Sequence, residues 1–502
     1  MANRDDQATP WIVVERRNGT YWADGAAHAA CGHPIPRAQG EREGVFFEWR
    51  WDGVSLRVRN DRFGMYPLFY FADHERCGVS TSIPLLLRKG GARELDYEAL
   101  SVFFRMGSFL AQDTSFRGIQ AVPPNSELVW TEGVATITTC ELEVARTYAG
   151  TDPVGDYIDL FRQSMKRRSP EGFPGPRVVM LSGGQDSRHI ALEIGQQRVR
   201  SDYHITVSTT GDPAHCDEVR IAKQLSNALD VDHVVISERA PLFDSVQRKN
   251  IASSYCSTQH AWAMPMVDYL SKNAACVFDG IGGDVLSAGL FLDQERVTLA
   301  SEGRLTELAD LILGPETTLK SVCARGMYER MSRDAARSRV VIELERHTNA
   351  ANPVGSFYFW NRTRRDIALI PYAMMSCVPF VIAPYLDWDL FEFLSSLPAS
   401  RLLSKGFHGQ VIAKAYPEFG TLGYAKKPTG SRYDGRQCME FARKLLSLGK
   451  PLLDSEGILN VRYFYVRLLR CLVDPNYARC TEWLLSLVLY CSQLGRACRG
   501  LE

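Results

Sequence analysis

The segment SGGQDS at residues 182–187 constrains the fold of this chain more than any other feature. It follows the apolar run 178–181 and opens into a helical pattern, which predicts a strand, a glycine turn and a helix in that order. Adjacent glycines permit positive φ and let backbone N–H groups converge, while the helix N-terminus adds partial positive charge. The segment therefore predicts a binding site for phosphate oxygens.

Within this segment we expect hydroxyl, backbone and carboxylate contacts to a phosphorylated ligand. Ser182 and Ser187 supply hydroxyl donors, and Gly183 and Gly184 supply backbone N–H donors. Asp186 is placed to hold a magnesium ion that bridges the phosphates. The segment is not a P-loop, because it lacks the Gly-Lys-Ser/Thr ending and its spacing is too short. An ordinary strand-to-helix turn is the alternative interpretation.

Length and composition bound the class of protein. The 502 residues are enough for two or three domains. Lysine plus arginine, 58, equals aspartate plus glutamate, 58, so no charge excess indicates a nucleic-acid partner or an acidic membrane surface. The 13 cysteines show no CxxC spacing and no signal-like N-terminus precedes them. These features predict reduced thiols and a cytoplasmic location.

One uncharged segment, residues 367–386, has the length of a membrane span. Pro371, Pro379 and Pro384 interrupt it, and three prolines would break a spanning helix repeatedly. We therefore expect a buried, irregular core segment and no membrane span.

The pattern of predicted secondary structure changes near residue 150. Residues 1–145 are rich in short alternating apolar runs with glycine turns, which predicts a β-rich domain. Residues 150–502 begin with alternating strands and helices, which favours a parallel sheet, and become mostly helical from about 295. The predicted elements are strands at 178–181, 205–209, 233–236 and 276–278 and helices at 96–106, 187–197 and 216–228.

Two motifs carry a family resemblance. SGGQDS resembles the SGGxDS loop of ATP pyrophosphatases, which cleave ATP between the α- and β-phosphates, and residues 60–70, NDRFGMYPLFY, resemble the DRxGxxPLYY signature of the amidotransferase domain in asparagine synthetases. The chain is thus identified as resembling the asparagine synthetase superfamily, which includes β-lactam synthetases and lasso-peptide cyclases. The resemblance implies ATP and Mg²⁺ as cofactors. It also implies an α+β N-terminal amidotransferase-like (Ntn-type) sandwich followed by an α/β parallel-sheet synthetase domain with a helical C-terminal part.

The residues needed for glutaminase activity are not recognisable. The family's active glutaminases use an N-terminal cysteine with a free α-amino group, whereas Ala2 follows Met1 here. Cys31 would become an N-terminus only after cleavage of thirty residues. The family's glutamine-holding NGEIYN segment has no counterpart either. We therefore expect an inactive glutaminase domain, as in β-lactam synthetases and lasso-peptide cyclases.

The resemblance implies further site residues beyond the first loop. Residues 278–285, FDGIGGDV, resemble the SGxGxDEL segment, so Asp284 is the predicted second magnesium ligand and Gly280 contacts the nucleotide. The alternative for Asp284 is a helix cap. Val207 and Ser208 match the segment whose backbone contacts adenine. Asp279 is assigned no role, because its counterpart in the family is usually a small residue.

A lysine pair near residue 427 is the predicted catalytic element. Lys427, and after it Lys426, match the family lysine that stabilises the adenylate-forming and amide-forming transition states. Two solvated loop lysines are the alternative. Arg188 replaces a small residue after the first loop and either reaches a phosphate or substrate carboxylate or only packs.

The departures from the family concern the acceptor site. Ile281 stands where asparagine synthetases carry Glu and β-lactam synthetases carry Tyr, and it cannot act as a base. The expected glutamate before the PYLD segment at 384–387 is replaced by the apolar stretch 380–383. This apolar lining suggests a bulkier acceptor or acyl group.

These features predict a C–N ligase that adenylates a small-molecule or peptide carboxylate for capture by ammonia or a substrate amine. A peptide macrolactam cyclase is the alternative within enzymes, and a nucleotide-binding pseudoenzyme or scaffold is the alternative of another class. A homo-oligomer or a peptide-carrier partner stays open.

Overall fold

The structure is a computed structural model. It describes residues 9–37, 40–139, 147–168, 175–199, 201–208, 213, 216–237, 240–316, 318–425, 433–448 and 457–501.

Two five-stranded antiparallel sheets form the N-terminal part. Their strand orders are β2-β1-β7-β6-β8 and β10-β9-β5-β4-β3. The strands are β1 (Trp11–Arg17), β2 (Thr20–Gly25), β3 (His28–Pro36), β4 (Arg42–Trp51), β5 (Ser55–Asn60), β6 (Phe69–Ala72), β7 (Arg76–Ser80), β8 (Gln120–Ala121), β9 (Ser126–Thr131) and β10 (Val134–Thr139), with helices α1 (Ile83–Arg88) and α2 (Tyr97–Met106) between β7 and β8.

The alternation of side chains along β1 explains the layers. Ile12 and Val14 pack with Trp49 and other residues of the second sheet. Val13 points the other way, into the core that contains Leu86 of α1. Successive side chains of a strand face opposite sides of its sheet, so one strand serves two cores. The result is the predicted α+β sandwich of two sheets covered by helices.

A parallel sheet follows, in the order β13-β12-β11-β14-β15. Each described pairing between neighbouring strands in it is parallel. Its elements are β11 (Arg177–Met180), β12 (Tyr203–Val207), β13 (Asp232–Ile236), β14 (Cys276–Phe278) and β15 (Phe380–Ile382), with α3 (Pro153–Arg168), α4 (Asp186–Gln197), α5 (Asp217–Ala228), α6 (Leu242–Ala252) and α7 (Met264–Asn273) before or between them. The predicted parallel α/β sheet is confirmed, with ends shifted by one or two residues.

Helices dominate the remainder, as predicted. They are α8 (Gly283–Leu286), α9 (Gln294–Ser301), α10 (Leu305–Leu313), α11 (Leu319–Val322), α12 (Arg325–Arg330), α13 (Arg333–Glu345), α14 (Pro353–Tyr358), α15 (Trp388–Ser396), α16 (Ala399–Leu402), α17 (Phe407–Ala415), α18 (Gly435–Ser447), α19 (Val461–Cys471), α20 (Pro475–Cys480) and α21 (Glu482–Arg499). The boundary predicted between residues 145 and 150 adjoins residues outside the described ranges and stays a prediction.

The uncharged segment at 367–386 is irregular and largely buried. Two π-helical stretches, Phe359–Ile367 and Ile370–Met374, precede β15, and a 3₁₀ turn, Pro384–Leu386, follows it. In the described ranges, no helix combines the length and apolar character needed to cross a lipid bilayer.

A buried ion cluster joins the two parts of the chain. Arg168, at the end of α3, pairs with Glu43 of β4, and both side chains are almost fully buried. Nε of Arg168 also lies 3.7 Å from Asp387, whose carboxylate caps α15. Buried charges of this kind are stable only while each keeps its partners.

We predict that Arg168→Ala lowers the apparent free energy of unfolding by about 3 to 5 kcal/mol, because it leaves Glu43 buried without its main partner. Urea unfolding followed by tryptophan fluorescence measures the change. The matched control is Arg248→Ala, which breaks a half-exposed pair with Asp268 and should hardly move the midpoint. Equal midpoints for the two variants would contradict the prediction.

Candidate functional site

The SGGQDS loop connects β11 to α4 and is closed by its own serines. The N–H of Ser182 donates to Oγ of Ser187 at 2.9 Å, and the two hydroxyl oxygens lie 3.0 Å apart. The N–H of Gly184 donates to Oγ of Ser182 at 3.2 Å. Gln185, which precedes α4, makes no side-chain cap to the helix. The first turn of α4 thus presents backbone N–H groups without a side-chain cap, an arrangement typical of anion sites.

The glycines of the loop serve close packing rather than unusual backbone angles. Gly183 and Gly184 could adopt positive φ, but neither does. A Cβ on Gly183 would instead lie 2.1 Å from Cβ of Ala425. Glycine is required here because another segment of the chain approaches its backbone.

A second glycine turn, after β14, packs against Asp186. A Cβ on Gly280 would lie 2.9 Å from Cβ of Asp186, and one on Gly283 would lie 2.6 Å from its Oδ1. The missing side chains therefore leave room for the carboxylate between the two turns. This contact places the predicted nucleotide residue Gly280 beside the first loop.

The Asp186 carboxylate lies beside a histidine from a distant helix. Its Oδ1 is buried, accepts no hydrogen bond from the described residues and lies 3.2 Å from Nδ1 of His408 in α17. His408 is fully buried, with Nδ1 2.9 Å from Oγ of Ser287 and Nε2 3.1 Å from Nδ1 of His189. Sequence analysis missed His408, because no motif surrounds it and more than two hundred residues separate it from the loop.

Asp279 is a second residue that sequence analysis left without a role. Its Oδ1 accepts the N–H of Ile281 at 2.7 Å. Burial, opposed by this hydrogen bond and reinforced by the charges of Asp186 and Asp284, raises the pKa of Asp279 to about 6. Three carboxylates therefore act on one another across the two turns. Its position directly after a strand, at the sheet edge where ligands bind, was the available signal.

The carboxylates are compatible with a magnesium nucleotide. Asp284 is half-buried, and its Oδ1 accepts the N–H of Val285 at 2.8 Å. Within the described ranges, no three His, Cys, Asp or Glu side chains are grouped to hold a metal ion. Mg²⁺ commonly uses one or two protein carboxylates and takes its other ligands from phosphates and water. The buried Oδ1 of Asp186, which accepts no hydrogen bond there, fits that role.

The structure decides between the two interpretations of Arg188. Its guanidinium donates to the carbonyl oxygens of Leu422 at 2.7 Å and Gly423 at 2.5 Å and lies 4.0 Å from the ring centre of Tyr424. Arg188 therefore fastens segment 422–424 to α4 and does not reach toward a phosphate. Ala425 continues this contact, since its N–H donates to the carbonyl of Gly183 at 3.0 Å.

The predicted catalytic lysines, Lys426 and Lys427, lie outside the described residues and stay predictions. Val207 ends β12, and Ser208 follows it at the same edge of the parallel sheet as the loop. The N–H of Ser208 donates to the carbonyl of Ile236 at 3.0 Å, so this donor is engaged within the sheet. The adenine contacts of both residues stay predictions.

The acceptor side of the site is apolar. Ile281 is 3% exposed and belongs to the same buried cluster as Phe359. The stretch that replaces the family glutamate forms β15, an edge strand of the parallel sheet. The structure thus shows hydrophobic packing at both positions where the resemblance predicts polar groups.

Comparison with known proteins identifies the family. The sequence profile of the family described as Asparagine synthase matches residues 156–419, more than half of the chain. The chain belongs to the asparagine synthase family. It is therefore a member of a family of ATP-binding C–N ligases, the ATP-dependent amide synthetases.

Curated proteins and solved structures do not narrow the function further. No curated protein matches the chain. A solved structure, titled "Structure of the allosteric regulatory enzyme of purine biosynthesis", is similar at 12% identity over 39% of this chain and 47% of that chain, with a TM-score of 0.15. The chain thus spans about half the length of that protein, and so low a TM-score supports no statement about fold or function.

We predict that Gly283→Ala weakens the binding of magnesium ATP at least tenfold, because its Cβ would displace the Asp186 carboxylate. The affinity is measured from the melting temperature of the protein at increasing concentrations of magnesium ATP. Gly326→Ala is the matched control, since a Cβ there meets nothing within 4 Å. An unchanged ATP affinity in a folded Gly283→Ala protein would contradict the prediction.

Proposed function

We propose that this protein is an amide synthetase that adenylates a carboxylate. A carboxylate oxygen attacks the α-phosphorus of ATP, the bond to the β-phosphate oxygen breaks, and pyrophosphate leaves. An amine nitrogen then attacks the acyl carbon, AMP departs with the C–O bond electrons, and the nitrogen loses a proton. The observation that carries the proposal is the convergence of two glycine turns on the Asp186 carboxylate.

The chain's own groups have distinct roles in this scheme. The serine hydroxyls of the loop and the uncapped N–H groups at the first turn of α4 bind and orient the β- and γ-phosphates. Asp186 and Asp284 would hold Mg²⁺, which supplies positive charge against the departing pyrophosphate. His408 lies beside Asp186 on its buried side. The contact between Ala425 and Gly183 supports a role for Lys426 and Lys427, because they directly follow a residue bonded to the loop.

The amine is proposed to arrive directly, as ammonia or a substrate amino group, without glutamine hydrolysis. Cys31 lies within β3, opposite Phe47 of β4. Burial raises the pKa of the Cys31 thiol, which disfavours the thiolate that a nucleophile requires. The apolar packing at Ile281 supports an acceptor that is not bound by a charged side chain.

A peptide macrolactam cyclase remains the second candidate, and one surface favours it. In α21, Leu484, Leu485, Val488 and Leu489 are buried, so this apolar face belongs to the core. In α19, however, Val461, Tyr465 and Leu469 repeat every four residues and are each more than a third exposed. An exposed apolar stripe is a surface that a peptide or carrier partner would cover.

The decisive test is carboxylate-dependent exchange of labelled pyrophosphate into ATP, screened over amino acids and alkyl and aryl carboxylates. In the complete reaction with an amine, we expect AMP and pyrophosphate as products. With glutamine as the only nitrogen source, we expect no amide formation. Asp186→Asn should lower the exchange rate at least a hundredfold, a loss of about 3 kcal/mol in transition-state stabilisation. Asp159→Asn, on the exposed side of α3, is the matched control.

Two outcomes would reject this proposal. Formation of ADP would show cleavage at the wrong phosphate. Stabilisation by magnesium ATP without exchange for any carboxylate or precursor peptide would identify a nucleotide-binding pseudoenzyme.

A second prediction concerns the positioning of segment 422–425. Arg188→Lys removes the planar fork that donates to two carbonyl groups. We expect the maximal exchange rate to fall about tenfold or more, since such hydrogen bonds contribute about 1.5 to 3 kcal/mol, while the KM for ATP changes less. Arg198→Lys, at the exposed end of the same helix, is the control. Equal maximal rates for the two variants would contradict the positioning role.

A further inference from the structure

A cavity of about 750 Å³ lies between the N-terminal sheets and the C-terminal helices. Gln112, Gln120 and Pro123 line it from the first part of the chain, and Trp360 and Phe391 line it from the second. No residue of the SGGQDS loop takes part. Its volume lies in the range of small-molecule sites, about 300 to 1,000 Å³.

One wall of this cavity is aromatic. Phe359, Trp360 and Phe391 line it, and their rings pack edge-on or tilted, with centroids 4.9 to 6.1 Å apart. Such a wall accepts the face or edge of another aromatic ring. The apolar side chains of Val285 and Leu286 extend it toward the turn that carries Asp284.

A buried cation lines the same cavity. Arg364 is 5% exposed and donates to the carbonyl oxygens of Gly64, Ala111 and Val122 at 3.0 to 3.2 Å. Among the described residues, no carboxylate oxygen lies within 4.0 Å of its guanidinium, and Asp61 and Glu343 act on its charge only from farther away, so two of its five N–H groups remain for a ligand. A buried charge without a counter-ion is costly, and an anion bound in the cavity would relieve that cost.

The acidic groups of the cavity are already neutralised. Glu343 lies 3.4 Å from Arg346 and 3.6 Å from His347, and Glu392 lies 2.8 Å from Arg62. Arg364 is therefore the lining charge that lacks an ionic partner in the described part of the chain. The site thus combines an aromatic wall with one buried cation that has no close ion pair among the described residues.

We propose that this cavity is a second binding site, separate from the nucleotide site, for a small aromatic carboxylate. The ring packs against Phe359, Trp360 and Phe391, and the carboxylate pairs with Arg364. The inference does not depend on the adenylation reaction. A ligand there contacts Val285 and Leu286, which directly follow Asp284 in α8. It therefore packs against the second glycine turn on the side of the cavity.

Calorimetric titration of the full chain with phenylacetate tests the proposal. We expect one site per chain, at least tenfold weaker binding of the neutral isostere phenylacetamide, and no detectable binding of acetate. Equal affinity for phenylacetate and phenylacetamide, or no heat of binding for phenylacetate, would overturn it.

Variants locate the ligand without removing Arg364, which also joins the two parts of the chain. Ala351→Phe fills the cavity from a half-buried position and should abolish binding of phenylacetate. Ala23→Phe, the same change on the exposed face of β2, should leave the affinity unchanged. Asp186→Ala should also bind phenylacetate normally. Loss of binding in Asp186→Ala, or full binding in a folded Ala351→Phe protein, would refute the assignment.

Discussion

The close approach of two glycine turns around one carboxylate is the constraint on which the rest of this site depends. Asp186 begins α4, and the backbone of Gly283 leaves no space for even a methyl group beside its Oδ1. The parallel sheet makes the approach unavoidable, because β11 and β14 are neighbours and their carboxyl ends meet at one edge. The magnesium candidates, the loop and Asp279 all follow from this juxtaposition.

Electrostatics and packing divide the site into two halves. The predicted phosphate half contains Asp186, Asp279 and Asp284, and the charges of the first and last act on Asp279. The predicted acceptor half is hydrophobic at Ile281, which packs in the same buried cluster as Phe359. A synthetase that keeps the nucleotide chemistry and changes its acyl or amine partner would show this combination.

The N-terminal part of the chain contacts the synthetase region through buried ionic and hydrogen-bonded groups. Arg364 and Arg365 donate to its backbone carbonyls, and Arg168 pairs with Glu43 of β4. These contacts hold the N-terminal sheets against the C-terminal helices. The cavity that contains Arg364 lies between them. The N-terminal part thus supplies lining residues of this cavity, among them Gln112, Gln120 and Pro123.

The sequence by itself determined the strand-turn-helix order, the Asp186 and Asp284 candidates and the sheet classes, because these follow from local periodicity and from motifs a few residues long. Only the tertiary structure decided that Arg188 binds the carbonyl groups of segment 422–424, that His408 lies beside Asp186 and that Arg364 is a buried cation with no ion pair among the described residues. Each of these depends on contacts between residues two hundred or more positions apart along the chain. Such contacts are set by sheet order and by the packing of whole elements, which local sequence patterns do not encode.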